Sequence, residues 1–177
     1  MSGRIIIVSG LPGAGKSTIS HHLATHFEKS VHVEADALHK MIVRGGLWPG
    51  EEPIEEGYGQ LRLRCRNACL LADSFCSAGF TVIIDDIVIG NRYYDFIDDL
   101  QTRPLYFMLL IPTLETLKIR NAQRPNKNVF HQAATLFDIT RDETPKVGLW
   151  LDTSEHTVNE SVEAILARYE AEALILS

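Results

Sequence analysis

One stretch of eight residues near the amino terminus limits the possible folds of this chain more than any other feature. Residues 10–17 read GLPGAGKS, which fits the pattern G-x-x-x-x-G-K-[ST]. The glycines let the backbone curl so that several N–H groups point into one concavity, and a following helix adds the positive end of its dipole. A β-branched run over residues 4–9 precedes the loop, and apolar residues recur every fourth position over residues 19–27 after it. The sequence therefore predicts a strand, a phosphate-binding loop and a helix in direct succession.

The loop residues are the predicted contacts for a nucleotide. They are Gly10, Leu11, Pro12, Gly13, Ala14, Gly15, Lys16, Ser17 and Thr18. Lys16 supplies a cation for the outer phosphates and Ser17 supplies a hydroxyl for Mg²⁺. We therefore expect ATP and Mg²⁺ as cofactors.

Short apolar runs alternate with helical patterns along the rest of the chain. Residues 44–59, with five glycines and two prolines, are predicted to form a loop. The predicted strands cover residues 4–9, 31–35, 81–84, 105–111 and 147–151. Strands interleaved with helices predict an α/β fold, here a single doubly wound domain over residues 1–177 with a five-stranded parallel sheet flanked by helices. Ligands of such domains bind at the carboxyl ends of the strands.

Composition narrows the class of partner. The 177 residues include 17 Lys and Arg against 23 Asp and Glu, and this net charge of −6 disfavours a general nucleic-acid binder. The longest apolar run, which includes residues 106–111, is far shorter than the roughly 20 residues of a membrane span. Three cysteines do not suggest a disulfide framework, and Cys65 and Cys69 are predicted to be buried thiols on one helix face. We therefore expect a cytoplasmic protein with a small-molecule partner and no membrane contact.

Two absent patterns separate the classes of phosphate-loop protein. Residues 126–129 read NKNV, so they lack the Asp of the guanine-binding pattern Asn-Lys-x-Asp, and no glycine stands three residues after Asp85 or Asp86. A GTPase is therefore disfavoured, and the short chain favours a kinase that holds two substrates in one cleft.

Acidic residues end two of the predicted strands. Asp85 follows residues 82–84 and is expected to hold Mg²⁺, with a turn or helix-capping role as the alternative. Asp86 is equally compatible with capping and with contact to the phosphate acceptor. Asp36 follows residues 33–35 and is predicted to orient or deprotonate the acceptor hydroxyl, with N-capping of a helix as the alternative.

Cationic residues are expected on both sides of the transferred phosphate. Arg120 and Arg124 are four residues apart on a predicted helix, so they project from one face and can grip the phosphates or stack on adenine. The alternative is that they only complement the helix dipole. Lys127 and Arg141 are further candidates for phosphate contact. Five arginines could border the acceptor, and most of them are expected to be solvated: Arg44, Arg62, Arg64, Arg66 and Arg92.

These motifs resemble those of small phosphate-loop kinases of the adenylate-kinase-like group, especially the chloramphenicol phosphotransferase and zeta-toxin families. The similar segments are residues 10–17, 82–86, 120–124 and 151–154, and the resemblance extends over about residues 4–169.

The resemblance implies a P-loop kinase fold with a short lid of about residues 120–141 and an acceptor-side segment of about residues 36–66. It also implies that Asp36 is the acceptor-side carboxylate and that Thr153 borders the adenine. Residues 44–66 match no part of the family's pattern, so the identity of the acceptor is not implied.

Three functions are compatible with these observations. The first is ATP-dependent transfer of the γ-phosphate to a hydroxyl of a small molecule, such as an antibiotic or a sugar. The second is a nucleotide kinase or a polynucleotide 5′-kinase, and the third is an ATP-binding sensor or toxin-like partner protein without metabolic turnover. For the first function, the expected catalytic residues are Asp36, Lys16, Arg120 and Arg124. The expected metal ligands are Ser17 and Asp85.

Overall fold

The computed structural model of the protein describes residues 3–123 and 130–177. The strands are β1 (Arg4–Gly10), β2 (Ser30–Glu34), β3 (Thr81–Asp86), β4 (Leu105–Leu110), β5 (Leu149–Leu151) and β6 (Leu174–Leu176). The helices are α1 (Lys16–Ala24), α2 (Ala35–His39), α3 (Ile54–Ser77), α4 (Arg92–Asp99), α5 (Leu114–Ala122), α6 (Phe130–Asp138) and α7 (Val158–Arg168). One π-helical turn follows α6 (Ile139–Glu143) and another follows α7 (Tyr169–Ala173).

The strands form one sheet in the order β2-β3-β1-β4-β5, and all neighbours in this order are parallel. The predicted five-stranded parallel sheet is confirmed. A sixth strand, β6, adds to it by pairing antiparallel with the start of β4. The sequence pattern did not indicate β6, because three residues are too few to show a strand period.

The central strands explain why the sequence reads as continuous apolar runs. Residues 5–8 of β1 and all of β4 are buried, because helices cover both faces of the sheet. The β1-to-β2 connection runs opposite to the later ones, so right-handed crossovers put α1 on one face and α3 and α4 on the other. α1 packs beside α7, and α3 packs beside α4. The parallel strands therefore present their carboxyl ends at one open edge.

Several helix ends follow local sequence signals. The Thr113 side chain accepts a hydrogen bond from the Thr116 N–H at the start of α5, and Thr157 and Glu160 form a reciprocal capping box at the start of α7. Gly79 follows α3 with a φ of 85°. Among the described residues, no helix has both the length and the hydropathy needed to cross a lipid bilayer.

The predicted loop over residues 44–59 is wrong in its second half, because α3 begins at Ile54. Pro53 stands before the first turn, and Glu55 and Glu56 lie within that turn, where carboxylates stabilise the positive end of the helix dipole. The five glycines of residues 44–59 obscured the start of this helix in the sequence.

The three cysteines are free and buried, as predicted for Cys65 and Cys69. A hydrogen bond to Cys65, together with burial, raises the pKa of the Cys69 thiol. Asp99 lies within 4.8 Å of both sulfur atoms, but its carboxylate is bound by Arg62. Buried thiols beside a paired carboxylate suit packing in the core better than metal binding.

Candidate active site

The phosphate-binding loop connects the end of β1 to the first residue of α1 at the open edge of the sheet. Gly15 is the N-cap of α1 with a φ of 92°, a left-handed conformation that favours glycine. Within the loop the Ala14 N–H donates to the Leu11 carbonyl at 3.0 Å. The first turn of α1 contains no acidic residue, so the positive end of its dipole is left for an anion.

Asn121 of α5 holds the loop in place, and sequence reasoning missed it. Its buried side-chain Nδ2 donates to the carbonyls of Pro12 and Leu117, each at 2.9 Å. Gly13 has a φ of 92°, and a Cβ at that position would lie 2.3 Å from Asn121 Nδ2. Because 108 residues separate Gly13 from Asn121, no local pattern marks this contact.

The structure brings the two predicted metal ligands together. The Ser17 hydroxyl donates to Asp85 Oδ1 at 3.3 Å, and the Asp85 side chain is only 5% exposed. A hydroxyl and a carboxylate are oxygen ligands of the kind that Mg²⁺ prefers, so these residues fit that ion. Lys16 of the same loop places its Nζ 3.4 Å from the Leu11 carbonyl.

His32 is a second residue that sequence reasoning missed. It lies on β2 beside β3, and its Nε2 is 2.5 Å from Asp85 Oδ2. Each oxygen of the Asp85 carboxylate therefore has a different neighbour, which fixes the orientation of the carboxylate towards Ser17. The sequence signal for this contact was a histidine within a short apolar strand, because a partly buried imidazole needs a polar partner.

A cleft of about 370 Å³ adjoins the phosphate loop on the side of α5 and α7, and Thr18, Arg120 and Ser161 contribute to its walls. Arg120 donates to the Thr153 carbonyl at 2.7 Å and to the Thr153 hydroxyl at 3.3 Å, so these two predicted contacts lie together. His156 also lines the cleft, and its buried Nδ1 has no hydrogen-bond partner among the described residues. An unsatisfied polar atom in a cleft beside the phosphate loop suits a ligand with polar edges.

The other predicted cations of the proposed lid region are Arg124, Lys127 and Arg141. Arg124 and Lys127 lie outside the described residues. Arg141 lies on the π-helical turn after α6, and its guanidinium pairs with the carboxylates of Asp138 and Asp142 on the surface.

Asp36 lies in the first turn of α2, directly after the end of β2. The N-cap position belongs to Glu34, and α2 has no side-chain cap hydrogen bond, so the N-capping alternative for Asp36 is wrong. Asp36 Oδ1 accepts a hydrogen bond from Arg64 Nη1 at 3.1 Å, and 40% of the Asp36 side chain is exposed.

Asp86 is enclosed by two arginines rather than open to an acceptor. Its side chain is 1% exposed, and its two oxygens accept from Arg64 Nη2 and Arg92 Nη2, each at 2.7 Å. The backbone N–H of Ile87 also donates to it at 2.8 Å. Burial would raise the pKa of the Asp86 carboxyl, but Arg92 and Arg64 outweigh burial and hold that pKa below its usual value.

The expectation that most acceptor-side arginines are solvated is wrong for Arg64, whose side chain is 5% exposed. Its guanidinium carbon lies 5.7 Å from the centre of the Trp48 ring, and the Trp48 ring lies 4.1 Å from the His39 ring. Burial and the neighbouring Arg64 charge lower the pKa of His39. Arg62 pairs with Asp95 and Asp99, whereas Arg44 and Arg66 are exposed.

The loop at the end of β1 and the sheet order define a P-loop protein of the kinase fold. Residues 5–170 match the family described as AAA domain, and the chain belongs to that family. Comparison of the sequence with curated proteins gives no match.

Solved structures with the same fold include proteins named as kinases. An unliganded sugar kinase from Janibacter sp. HTCC2649 is 24% identical, with 93% of each chain covered and a TM-score of 0.66. The Deinococcus radiodurans tunicamycin resistance protein is 18% identical, with 99% of each chain covered and a TM-score of 0.67. The Mycobacterium tuberculosis APS kinase, solved with AMPPNP and APS, is 13% identical over 94% of this chain and 96% of that chain, with a TM-score of 0.67.

Proposed function

We propose that the protein is an ATP- and Mg²⁺-dependent phosphotransferase that moves the γ-phosphate of ATP to a hydroxyl of a small molecule. The observation that carries this proposal is a continuous path from Asp36, the candidate acceptor carboxylate, to Ser17 and Asp85, the candidate metal ligands. Arg64 links Asp36 to Asp86, and the preceding residue, Asp85, contacts Ser17 of the phosphate loop. A candidate acceptor carboxylate and a candidate metal site thus belong to one polar cluster.

Each side chain has a defined task in this reaction. Lys16 and Arg120 bind and neutralise phosphate oxygens, and Ser17 and Asp85 hold Mg²⁺, which neutralises charge on the β- and γ-phosphates when bound. Asp36 orients the acceptor hydroxyl and accepts its proton. The hydroxyl oxygen bonds to the γ-phosphorus while the bond from that phosphorus to the oxygen of ADP breaks. The nucleoside occupies the cleft beside α5 and α7, near Thr153 and His156.

The names of the structural relatives support a small acceptor. A sugar kinase and a tunicamycin resistance protein share this fold over nearly the whole chain. Low identity limits this support to the architecture, so a sugar or an antibiotic acceptor is part of the proposal.

Transfer of radiolabelled γ-phosphate from ATP to a panel of sugars, aminoglycosides, phenicols and nucleosides tests the proposal. We expect at least one labelled product with the wild-type protein and about a thousandfold less with Lys16→Ala, since Lys16 contacts the transferred group. Lys118→Ala is the matched control, because Lys118 is an exposed lysine on α5. Undiminished transfer by Lys16→Ala, or no labelled product from any compound, would contradict the proposal.

A further inference from the structure

We infer that the acceptor subsite beside Asp36 takes a hydroxyl compound without negative charge, because Arg64 and Arg92 are committed to internal carboxylates. This inference rests on the proposed function and narrows the class of its substrate.

Two arginines beside Asp36 and Asp86 are already paired within the protein. Arg64 uses one Nη to bind Asp36 and the other to bind Asp86. Arg92 uses its guanidinium to bind Asp86 and the Ile87 carbonyl. Both guanidinium groups thus already have carboxylate partners within the protein.

An anionic acceptor that bound to Arg64 or Arg92 would have to take that arginine from Asp86. The Asp86 side chain is 99% enclosed, so the loss of either partner would leave a buried carboxylate with half of its compensating charge. A buried charge without its partners is strongly unfavourable, whereas an uncharged acceptor leaves both ion pairs intact.

Arg64 is also held in place by its surroundings. Its guanidinium packs on the Trp48 ring, which packs on the ring of the buried His39. The loop that carries Trp48 is tied to α3, because Gln60 Nε2 donates to the Gly45 carbonyl and the Leu47 N–H donates to Gln60 Oε1. Turning Arg64 towards an acceptor would disturb this stack as well as the ion pairs.

Two other described arginines of the acceptor side do not replace Arg64. Arg62 pairs with Asp95 and Asp99. Arg66 is exposed, about 200° around α3 from Arg64. The Asp36 carboxylate is partly exposed, and a carboxylate accepts a hydrogen bond from a hydroxyl and repels an anion.

Matched acceptor pairs test this selection. The probes are ribose with ribose 5-phosphate, glycerol with 3-phosphoglycerate, and thymidine with a thymidine oligonucleotide that has a free 5′-hydroxyl. For every pair in which transfer occurs, we expect the uncharged member to have at least a tenfold higher kcat/KM. A higher kcat/KM for the phosphorylated, carboxylated or polynucleotide member overturns the inference.

A pair of variants locates the source of the selection. Asp86→Asn removes the carboxylate that Arg64 and Arg92 share, so their positive charges can attract an anionic acceptor. The preference for the uncharged member should therefore fall at least tenfold. Asp99→Asn also deprives an arginine of its carboxylate, but that arginine is Arg62, and we expect the preference to stay at the wild-type value. Equal preferences in Asp86→Asn and wild type would overturn the role of this cluster.

A binding measurement on the Trp150→Phe protein keeps the inference testable if Asp86→Asn does not fold or if no transfer is found. The chain has two tryptophans, so Trp48 becomes the single tryptophan, and it lies against Arg64. With AMPPNP and Mg²⁺ present, an uncharged probe should change Trp48 fluorescence at a concentration at least tenfold below that of its anionic partner. An equal or stronger response to the anionic partner, or no response to any probe, overturns the inference. Absence of transfer combined with the expected fluorescence response contradicts only the proposed function.

Discussion

The Ser17 hydroxyl donates a hydrogen bond to Asp85 Oδ1 at 3.3 Å, across the junction of the phosphate loop and β3. His32 lies 2.5 Å from the other oxygen of the same carboxylate, so both oxygens of Asp85 are oriented by side chains from other elements. In the proposed function, the oxygen ligands of Ser17 and Asp85 hold Mg²⁺ beside the phosphates of ATP.

Asp85→Asn should raise the Mg²⁺ concentration that supports half-maximal phosphotransfer by about ten- to a hundredfold, because it removes a charged oxygen ligand. A Mg²⁺ titration at saturating ATP measures this shift, and removal of the ion with EDTA should abolish transfer in the wild type. Asp98→Asn, at an exposed position of α4, is the control and should titrate as the wild type. An unchanged Mg²⁺ requirement in Asp85→Asn would remove Asp85 from the metal site.

Gly13→Ala should weaken ATP binding at least tenfold and lower the melting temperature. The added Cβ would lie 2.3 Å from Asn121 Nδ2, and the φ of 92° is strained for alanine. Calorimetric ATP titration and thermal unfolding measure the two effects. Gly59→Ala is the matched control, since a Cβ there meets nothing within 4 Å, and alanine should stabilise the interior of α3 by about 0.5–1 kcal/mol. ATP binding by Gly13→Ala at wild-type strength would show that the loop does not need the Asn121 contact.

Asp86→Asn should lower the free energy of unfolding by about 3–5 kcal/mol at pH 7, because it leaves Arg64 and Arg92 without their shared carboxylate. The pKa of Asp86 is lower in the folded state than in the unfolded chain. Its ion pairs therefore stabilise the fold above about pH 4 and lose this contribution as the pH falls further.

Urea unfolding of the wild type and Asp86→Asn at pH 7 and pH 3 tests this linkage. The difference in unfolding free energy between the two proteins should be smaller at pH 3 than at pH 7. Glu172→Gln, which removes an exposed ion pair with Arg168, should change the unfolding free energy little at either pH. A difference that stays constant with pH would show that Asp86 is not ionised in the folded protein.

The three cysteines should react slowly with a thiol-specific reagent while the protein is folded. All three are buried, and burial raises the pKa of Cys76 to about 11, so little thiolate is present at pH 8. Absorbance of released thionitrobenzoate in buffer and in urea measures the number of accessible thiols. We expect all three thiols to react in urea and at least tenfold slower reaction in buffer. Rapid labelling of the folded protein would contradict the buried positions of Cys65, Cys69 and Cys76.

The sequence was sufficient for features whose causes are local or periodic. The phosphate loop follows from its glycines and Lys16, and the parallel sheet follows from apolar runs that alternate with helical patterns. The cap at Thr157 also follows from residues within one helical turn. Asp85 was found because an acid directly after a buried strand reaches the edge where ligands bind.

Only the tertiary structure decided which side chains meet at that edge. Asn121 binds the loop from a position 109 residues after Pro12, and His32 reaches Asp85 from a neighbouring strand. Arg64 belongs to a helix face that sequence alone could not distinguish from the exposed face of Arg66, because an arginine is buried only where carboxylates from other elements compensate its charge. Local signals therefore determined the phosphate-loop half of the candidate site, while long-range charge pairing determined the half around Asp36 and Asp86.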